Sequence, residues 1–231
     1  MPPEPTGRRP LKTRDWPFFK NLAAWLARSG ATPNGISFAS IVFGCAAGAA
    51  FVATNCFSLG TWSQRACWLA AAAFIQLRLI ANLLDGMVAV EGRKGGPTGD
   101  LWNEAPDRIS DAATLLGAAY AASSYPLLGF SAALVAVFVA YTRALGASVG
   151  AGQIFLGPMA KPQRMALMTG TALLMALWPI DPSGNGLAGL AGGQSPMRWA
   201  LLVIILGGVI TAWRRLARIA ALLREKASQP S

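Results

Sequence analysis

Long apolar runs separated by short polar segments are the clearest pattern in the chain. Residues 112–142 carry no charge and are too long for a single membrane crossing, so the polar break at 123–126 is expected to divide them into two helices. Four other runs have the same apolar character: 36–56, 66–84, 165–180 and 199–213. The pattern therefore predicts an all-α polytopic membrane protein with six transmembrane helices.

A different pattern precedes the first apolar run. Apolar side chains recur at helical spacing within residues 15–28, and four of them share a face: Phe18, Leu22, Trp25 and Leu26. Such an amphipathic helix is typical of a segment that lies in the membrane interface. The sequence thus predicts four parts: a basic flexible tail (1–14), an interfacial amphipathic helix with an entry turn (15–34), a six-helix transmembrane domain (35–218) and a basic cytosolic tail (219–231).

Composition supports the membrane interpretation and restricts the chemistry. Hydrophobic residues make up 54% of the 231 residues and charged residues only 13%. The net charge of +10 is not arranged as a basic stripe with interleaved aromatic residues, so we expect membrane lipids and no nucleic acid as partners. The absence of histidine excludes Ser-His-Asp catalysis and histidine-ligated zinc, which leaves carboxylates as candidate general bases.

The three cysteines do not suggest a metal site. Cys45, Cys56 and Cys67 lack a metal-binding spacing, and we expect them to be small apolar residues of the membrane helices. A disulfide between Cys56 and Cys67 near the outer surface is the alternative.

The distribution of lysine and arginine predicts the orientation. With the N-terminus inside, 17 of the 20 basic residues fall in inner segments, against two outside (Arg65 and Arg198) and Arg78 within a span. By the positive-inside rule both termini face the cytosol. We therefore expect an integral protein of a bacterial-type inner membrane, with segment 82–111 at the cytosolic face.

Segment 82–111 concentrates the acidic residues. It carries six of the ten in the chain: Asp85, Glu91, Asp100, Glu104, Asp107 and Asp111. Because the segment joins two apolar runs, some of these carboxylates must lie at or below the membrane surface, where ionisable groups are costly and usually functional. The candidate chemistry of the protein is therefore expected here.

Helical spacing brings a defined set of oxygen-bearing side chains together. Asn82 and Asp85 are three residues apart, and Asn103 and Asp107 are four apart, so each pair shares a helix face. If the two helices run antiparallel and face each other, the four side chains converge. Such a ring suits a hard cation with oxygen ligands, namely Mg²⁺ or Mn²⁺.

Residues 82–107 resemble the signature of the CDP-alcohol phosphotransferases, D-x2-D-G-x2-A-R-x8-G-x3-D-x3-D. All spacings are kept, and the fixed positions fall on Asn82, Asp85, Gly86, Ala89, Val90, Gly99, Asn103 and Asp107. Five of the eight agree in residue type; two aspartates are asparagines here, and the arginine is Val90. The Thr-Pro-Asn sequence at 32–34 resembles the entry to the first membrane helix of the same family.

The resemblance implies a function. Members of this family transfer a substituted phosphate group from a CDP-linked lipid, most often CDP-diacylglycerol, to a small alcohol acceptor with release of CMP. The resemblance implies Asn82, Asp85, Asn103 and Asp107 as metal ligands and Asp107 as the general base, with Asp111 one turn deeper in a supporting position. It also implies that small residues let the nucleotide approach the helices (Gly86, Ala89 and Gly99), and that the protein is a homodimer.

Several basic residues have two interpretations. Arg78, one turn before Asn82, is either a substitute for the missing arginine or a structural partner of a nearby aspartate. Arg143, Lys161 and Arg164 are either binding groups for a substrate phosphate or charges that follow from the topology. Two other functions stay open: a catalytically weakened relative that binds nucleotide or protein partners, and a transporter or channel.

Overall fold

The computed structural model describes residues 15–91, 99–121, 124–178 and 195–228, and within these ranges it contains helices and no strand. The α-helices are α1 (Pro17–Arg28), α2 (Pro33–Ala53), α3 (Trp62–Glu91), α4 (Gly99–Ala119), α5 (Pro126–Ser148), α6 (Lys161–Leu177) and α7 (Pro196–Ala227). A short 3-10 turn, Thr54–Cys56, follows α2. The predicted all-α class is confirmed.

Within the described ranges, four helical segments are long and apolar enough to cross a membrane: Pro33–Cys56, Trp62–Val90, Pro126–Ser148 and Pro196–Ala227. The other two predicted crossings correspond to α4 and α6. The first half of α4 carries Glu104, Asp107 and Arg108, and α6 has only 17 residues. The structure thus supports an integral membrane protein, while the count of six crossings stays a prediction.

Several helix ends differ from the sequence-based expectation. Helix α5 continues to Ser148, beyond the apolar run that ends at residue 142, and α6 begins at Lys161, before the apolar run 165–180. The last helix runs through the predicted tail to Ala227. These helices extend beyond the apolar runs because the thickness of the membrane limits the length of an apolar run and does not limit the length of a helix.

Six helices pack in a closed ring in the order α3, α2, α4, α5, α7, α6 and back to α3. The main core joins this ring through large buried side chains such as Phe51, Trp68, Leu115 and Met168. The rings of Phe51 and Trp68 meet edge to face at 5.8 Å. Helix α1 lies outside the ring and packs against α3.

Helix α1 packs on α3 through only part of the predicted apolar face. Phe18 and Trp25 are 67% and 57% exposed, whereas Ala23 is fully buried and packs with Leu84 and Val88 of α3. Phe19, Leu22 and Leu26 complete this contact. The exposed aromatic side chains are available to a membrane interface, so the interfacial location stays a prediction.

Glycines allow α2 and α4 to approach closely. A Cβ added at Gly117 would lie 2.2 Å from the Cα of Gly48, and one added at Gly44 would lie 2.4 Å from the Cβ of Ser110. Small residues at such a crossing permit backbone contact between membrane helices. This contact fixes the position of α4, and α4 carries Asp107 and Asp111.

Candidate functional site

The polar side chains of the predicted signature meet at one end of the helix ring. Asn82 and Asp85 come from the last turns of α3, Asp107 and Asp111 from α4, and Lys161 from the first turn of α6. Although α3 and α4 pack mainly on other helices, contacts between their polar side chains cross the ring. The structure therefore brings Asn82 and Asp107 into contact, with Asp85 on the next turn of α3.

Asp85 is buried and incompletely paired. The residue is only 6% exposed, and its Oδ2 accepts a hydrogen bond of 2.8 Å from the Ser37 hydroxyl. Its Oδ1 is buried and has no hydrogen-bond partner among the described residues. A buried carboxylate oxygen without a partner is costly unless a cation or proton satisfies it.

Asp107 receives three polar groups on a single oxygen. Its Oδ1 accepts a hydrogen bond of 2.5 Å from the Asn82 amide and lies 2.5 Å from the Lys161 ammonium nitrogen. The Arg78 guanidinium lies 3.8 Å from the same oxygen. The Asp107 side chain stays 18% exposed, so this carboxylate is both well held and accessible.

Asp111 is enclosed by two arginines. Oδ1 pairs with Arg78 of α3, and Oδ2 pairs with Arg164 of α6 at 2.7 Å. All three side chains are at most 2% exposed. Arg78 also donates to the Met165 sulfur at 3.1 Å, and Arg164 to the Met159 carbonyl at 3.3 Å. We call Arg78, Asp111 and Arg164 the buried triad; it ties α3, α4 and α6 together.

Glu104 joins two further arginines near the mouth of the site. It accepts hydrogen bonds from Arg108, one turn later on α4, and from Arg143 of α5. Burial alone would raise the pKa of the Glu104 carboxyl, but the hydrogen bond from Arg108 and the charges of Arg143 and Arg108 hold that pKa below its ordinary value. The guanidinium of Arg143 also lies 5.8 Å from the ring centre of Phe155.

A cavity of about 220 Å³ opens between α4, α5, α6 and α7 beside this cluster. Five cationic side chains line it, together with the carboxylate of Asp107: Arg108, Arg143, Lys161, Arg164 and Arg215. Arg215 is 4% exposed and donates to the carbonyls of Leu156 and Val139 at 3.0 and 2.7 Å. The excess of positive charge makes the cavity suitable for an anion.

A second, apolar cavity of about 370 Å³ lies between α1, α2 and α3. Its lining includes Leu26, Phe43, Leu77, Ile80 and Leu84. Leu84 directly precedes Asp85, and Ala81, which also lines the cavity, directly precedes Asn82. An apolar cavity and the polar site therefore share the same turns of α3.

The small residues of the signature lie near this end of the ring. Gly86 and Ala89 are half-buried on α3, and Val90 is 66% exposed. Gly99 is exposed at the start of α4, and a Cβ added there would meet nothing within 4 Å. Asn103 lies in α4, but its side chain is outside the described residues, so its role as a ligand stays a prediction.

Sequence reasoning missed four residues of this region: Ser37, Glu104, Arg108 and Arg215. Ser37 is a lone hydroxyl in an apolar run, and Arg215 lies among other basic residues, so neither carries a distinctive local signal. Glu104 and Arg108, four residues apart, do form a helical ion-pair spacing that could have been recognised.

The described residues fit a divalent cation with few charged ligands. Asp85 offers its unpartnered Oδ1, Asp107 offers a second carboxylate, and Asn82 lies within hydrogen-bond distance of Asp107. No group of three or more histidine, cysteine, aspartate or glutamate side chains with metal-binding geometry occurs among the described residues. The donor set consists of oxygen atoms, which suits Mg²⁺ or Mn²⁺.

The fold of this helix ring is shared with phosphatidylinositol phosphate synthase PgsA1 of Mycobacterium tuberculosis. The PgsA1 structure in complex with manganese and citrate has a TM-score of 0.68 at 18% sequence identity, covering 87% of this chain and 88% of that chain.

Two further PgsA1 structures give the same result. The one with CDP-DAG bound has a TM-score of 0.67 at 18% identity, covering 87% of this chain and 92% of that one. The apo form has a TM-score of 0.64 at 19% identity, covering 86% and 94%. At this identity the likeness shows a common fold. No family model and no curated protein sequence matches the chain.

Proposed function

We propose that the protein is a membrane-bound transferase of phospholipid synthesis. It moves a phosphatidyl group from a CDP-linked alcohol, CDP-diacylglycerol in the first instance, to an acceptor alcohol and releases CMP. The observation that carries the proposal is the convergence of Asn82, Asp85 and Asp107 at the signature spacing. The shared fold with an enzyme solved with manganese and with CDP-DAG supports it.

The metal ligands in this proposal are Asn82, Asp85, Asn103 and Asp107. The buried, unpartnered oxygen of Asp85 is the strongest support for a cation at this position. A bound Mg²⁺ or Mn²⁺ would neutralise charge on the phosphate oxygens and orient the CMP leaving group.

Asp107 is the proposed general base. It takes the proton of the acceptor hydroxyl while the acceptor oxygen forms a bond to the phosphorus that carries the lipid. The bond from that phosphorus to the bridging oxygen breaks, and CMP leaves with this oxygen. Asn82 and Lys161 hold the Asp107 carboxylate in place for this step, since both contact its Oδ1.

The apolar cavity is the proposed site for the acyl chains of the donor. It adjoins Asn82 and Asp85 through Ala81 and Leu84, so a lipid seated there would present its phosphates to the polar site. The small residues Gly86, Ala89 and Gly99 would leave room for the nucleotide at the ends of α3 and α4.

The cationic cavity is the proposed acceptor site. Its five basic side chains suit an acceptor that carries a phosphate, such as inositol phosphate or glycerol phosphate, better than a neutral alcohol or serine. Arg143, Lys161 and Arg164 would contact this phosphate. Arg78 belongs to the buried triad and would act through Asp111 and Asp107.

A direct assay tests the function. Purified protein in detergent is given CDP-diacylglycerol, Mg²⁺ or Mn²⁺, and one acceptor from a panel of inositol phosphate, glycerol phosphate, inositol and serine. We expect metal-dependent CMP release with a phosphorylated acceptor and its loss in EDTA. The variant Gln163→Ala, an exposed neighbour of the site, serves as a control and should keep full activity. CMP release that does not depend on a divalent metal ion, or no CMP release with any acceptor, would contradict the proposal.

The catalytically weakened relative is a second candidate function, favoured by the substitution of Val90 and the small number of carboxylates. It predicts nucleotide binding without CMP release. Recovery of activity in the combined Asn82→Asp, Val90→Arg and Asn103→Asp variant, starting from an inactive protein, would favour it.

Topology and assembly complete the proposal. We propose six crossings, a site at the cytosolic face of a bacterial-type inner membrane, and a homodimer. In a cysteine-free background on intact cells, Ser183→Cys should react with a membrane-impermeant thiol reagent and Lys94→Cys should not. Both positions are outside the described residues. Labelling at position 94 alone would show that the protein has the opposite orientation. Crosslinking in native membranes that gives only monomer would contradict the homodimer.

A further inference from the structure

Lys161 occupies an unusual position in the candidate metal site. Its ammonium nitrogen lies 2.5 Å from Oδ1 of Asp107, the oxygen that also accepts the Asn82 amide proton. The Lys161 side chain is 21% exposed and projects from the first turn of α6, across the ring from α4, which carries Asp107. One of the two candidate charged ligands is thus already paired with the Lys161 ammonium, whereas Oδ1 of Asp85 has no partner among the described residues.

We propose that the Lys161 ammonium takes the place of a second divalent cation, so that the site binds one metal ion, at Asp85. This inference rests on the proposed function and concerns how that site is charged. Sites with two metals hold them about 3.5–4 Å apart, so that both touch the same group of ligands. An ammonium at hydrogen-bond distance from Asp107 fills one of the two positions with a single charge.

Charge balance supports a single ion. Three carboxylates of the cluster (Asp85, Asp107 and Asp111) face three cations (Arg78, Lys161 and Arg164), which leaves these six groups neutral together. One divalent cation gives this cluster two positive charges, which match a diphosphate with one negative charge on each phosphate. A second divalent cation would leave a large uncompensated positive charge in a mostly buried site.

The presence of the Lys161 ammonium in place of a second metal ion also explains why two carboxylates, Asp85 and Asp107, are sufficient for the site. Asn82 donates its amide proton to Asp107, an arrangement that an aspartate at this position could not provide when ionised. With neutral Asn82 beside it, Asp107 accepts one ammonium and one amide, and its negative charge is compensated without a metal ion. Asp85 is then the main charged ligand of the single ion.

Counting bound Mn²⁺ on the purified protein tests the inference without any substrate. Equilibrium dialysis, with free Mn²⁺ read by electron paramagnetic resonance, should give one ion per chain for the natural protein and for Lys161→Arg. Lys161→Ala combined with Asn82→Asp should bind two ions, because a carboxylate is added and the competing ammonium is removed. Gln163→Ala is the matched control two residues along α6 and should bind one.

Each result decides the matter. Two ions in the natural protein, no ion, or a single ion in the Lys161→Ala, Asn82→Asp variant would overturn the inference. Circular dichroism and gel filtration in detergent establish that each variant is folded. If the alanine variant does not fold, Lys161→Arg still tests whether a positive charge at position 161 is compatible with one bound ion. Failure of CMP release would contradict the transferase and leave the ion count valid, whereas two bound ions would contradict only the role of Lys161.

Discussion

Two acidic regions lie one or two helix turns apart and are built in opposite ways. In the buried triad, both oxygens of Asp111 are paired with arginines, and none of the three side chains is more than 2% exposed. Beside it, Asp85 keeps one buried oxygen without a partner among the described residues, and Asp107 stays partly accessible. Among the described residues, the unpartnered buried atoms of the triad are the Nε atoms of Arg78 and Arg164, whereas both carboxylate oxygens of Asp111 are paired. At Asp85 the unpartnered atom is a carboxylate oxygen, which calls for a positive group or a proton.

We expect this difference to separate a structural role from a chemical one. A buried carboxylate with two arginine partners holds three helices in register, and removal of one partner leaves uncompensated charge. A buried carboxylate oxygen without a partner is a feature of binding sites, where a ligand completes the pairing. Substitutions in the two regions should therefore affect different measurements.

The largest effect is expected for Asp107→Asn. If Asp107 is the general base, its loss should reduce CMP release by ~10²–10⁴-fold, because an amide cannot take the acceptor proton. Its thermal unfolding should change little, since the amide oxygen can still accept from Lys161. The rate of CMP release and the unfolding temperature in detergent check these two expectations. An unchanged rate of CMP release would contradict the proposed role of Asp107.

Asp111→Asn should instead reduce stability. Two buried arginines would lose their counter-charge, at a cost of about 3–5 kcal/mol in the free energy of unfolding. Replacing the whole triad with apolar residues of similar size, Arg78→Met, Asp111→Leu and Arg164→Met, should recover most of the loss, which unfolding in detergent would measure. An Asp111→Asn protein as stable as the natural one would show that the triad does not hold the helices.

Asp85→Asn should weaken metal binding without reducing stability. Removal of a buried charge with an unpartnered oxygen should leave the free energy of unfolding unchanged or raise it by about 1 kcal/mol. Mn²⁺ affinity should fall roughly 10–100-fold or more, since a charged ligand is lost. Ser37→Ala is the matched control: it removes the 2.8 Å hydrogen bond to Asp85 and keeps the carboxylate. Equal Mn²⁺ affinity in Asp85→Asn and the natural protein would contradict the site.

The smallest effect is expected for Glu104→Gln. Loss of a partly exposed partner of Arg108 and Arg143 should raise the KM for a phosphorylated acceptor by a few-fold, about 0.5–1 kcal/mol, with kcat unchanged. Glu225→Gln breaks a comparable exposed pair with Arg218 outside the cavity lining and should change neither constant. A fall in kcat instead of a rise in KM would place Glu104 in the chemical step.

The sequence predicted the helices better than their ends or faces. Apolar runs too long for any soluble helix pattern identified the all-α membrane class. They did not reveal that α7 continues to Ala227, or that α1 buries Ala23 and leaves Phe18 exposed. A buried face depends on which neighbour a helix meets. Leu22 and Leu26 of the predicted face pack against α3, while Phe18 and Trp25 of the same face stay exposed.

By itself the sequence determined the class of fold and the position of Asn82, Asp85 and Asp107 on two helix faces, because helical periodicity and membrane thickness are local constraints. Only the tertiary structure decided which charges pair. Arg78 and Arg164 lie 33 and 53 residues from Asp111, and Lys161 lies 54 residues from Asp107. Residues so far apart in the sequence form ion pairs only when the helix ring closes. The energy of an ion pair depends on the distance between the two charges and on their burial, and no local sequence pattern encodes either quantity.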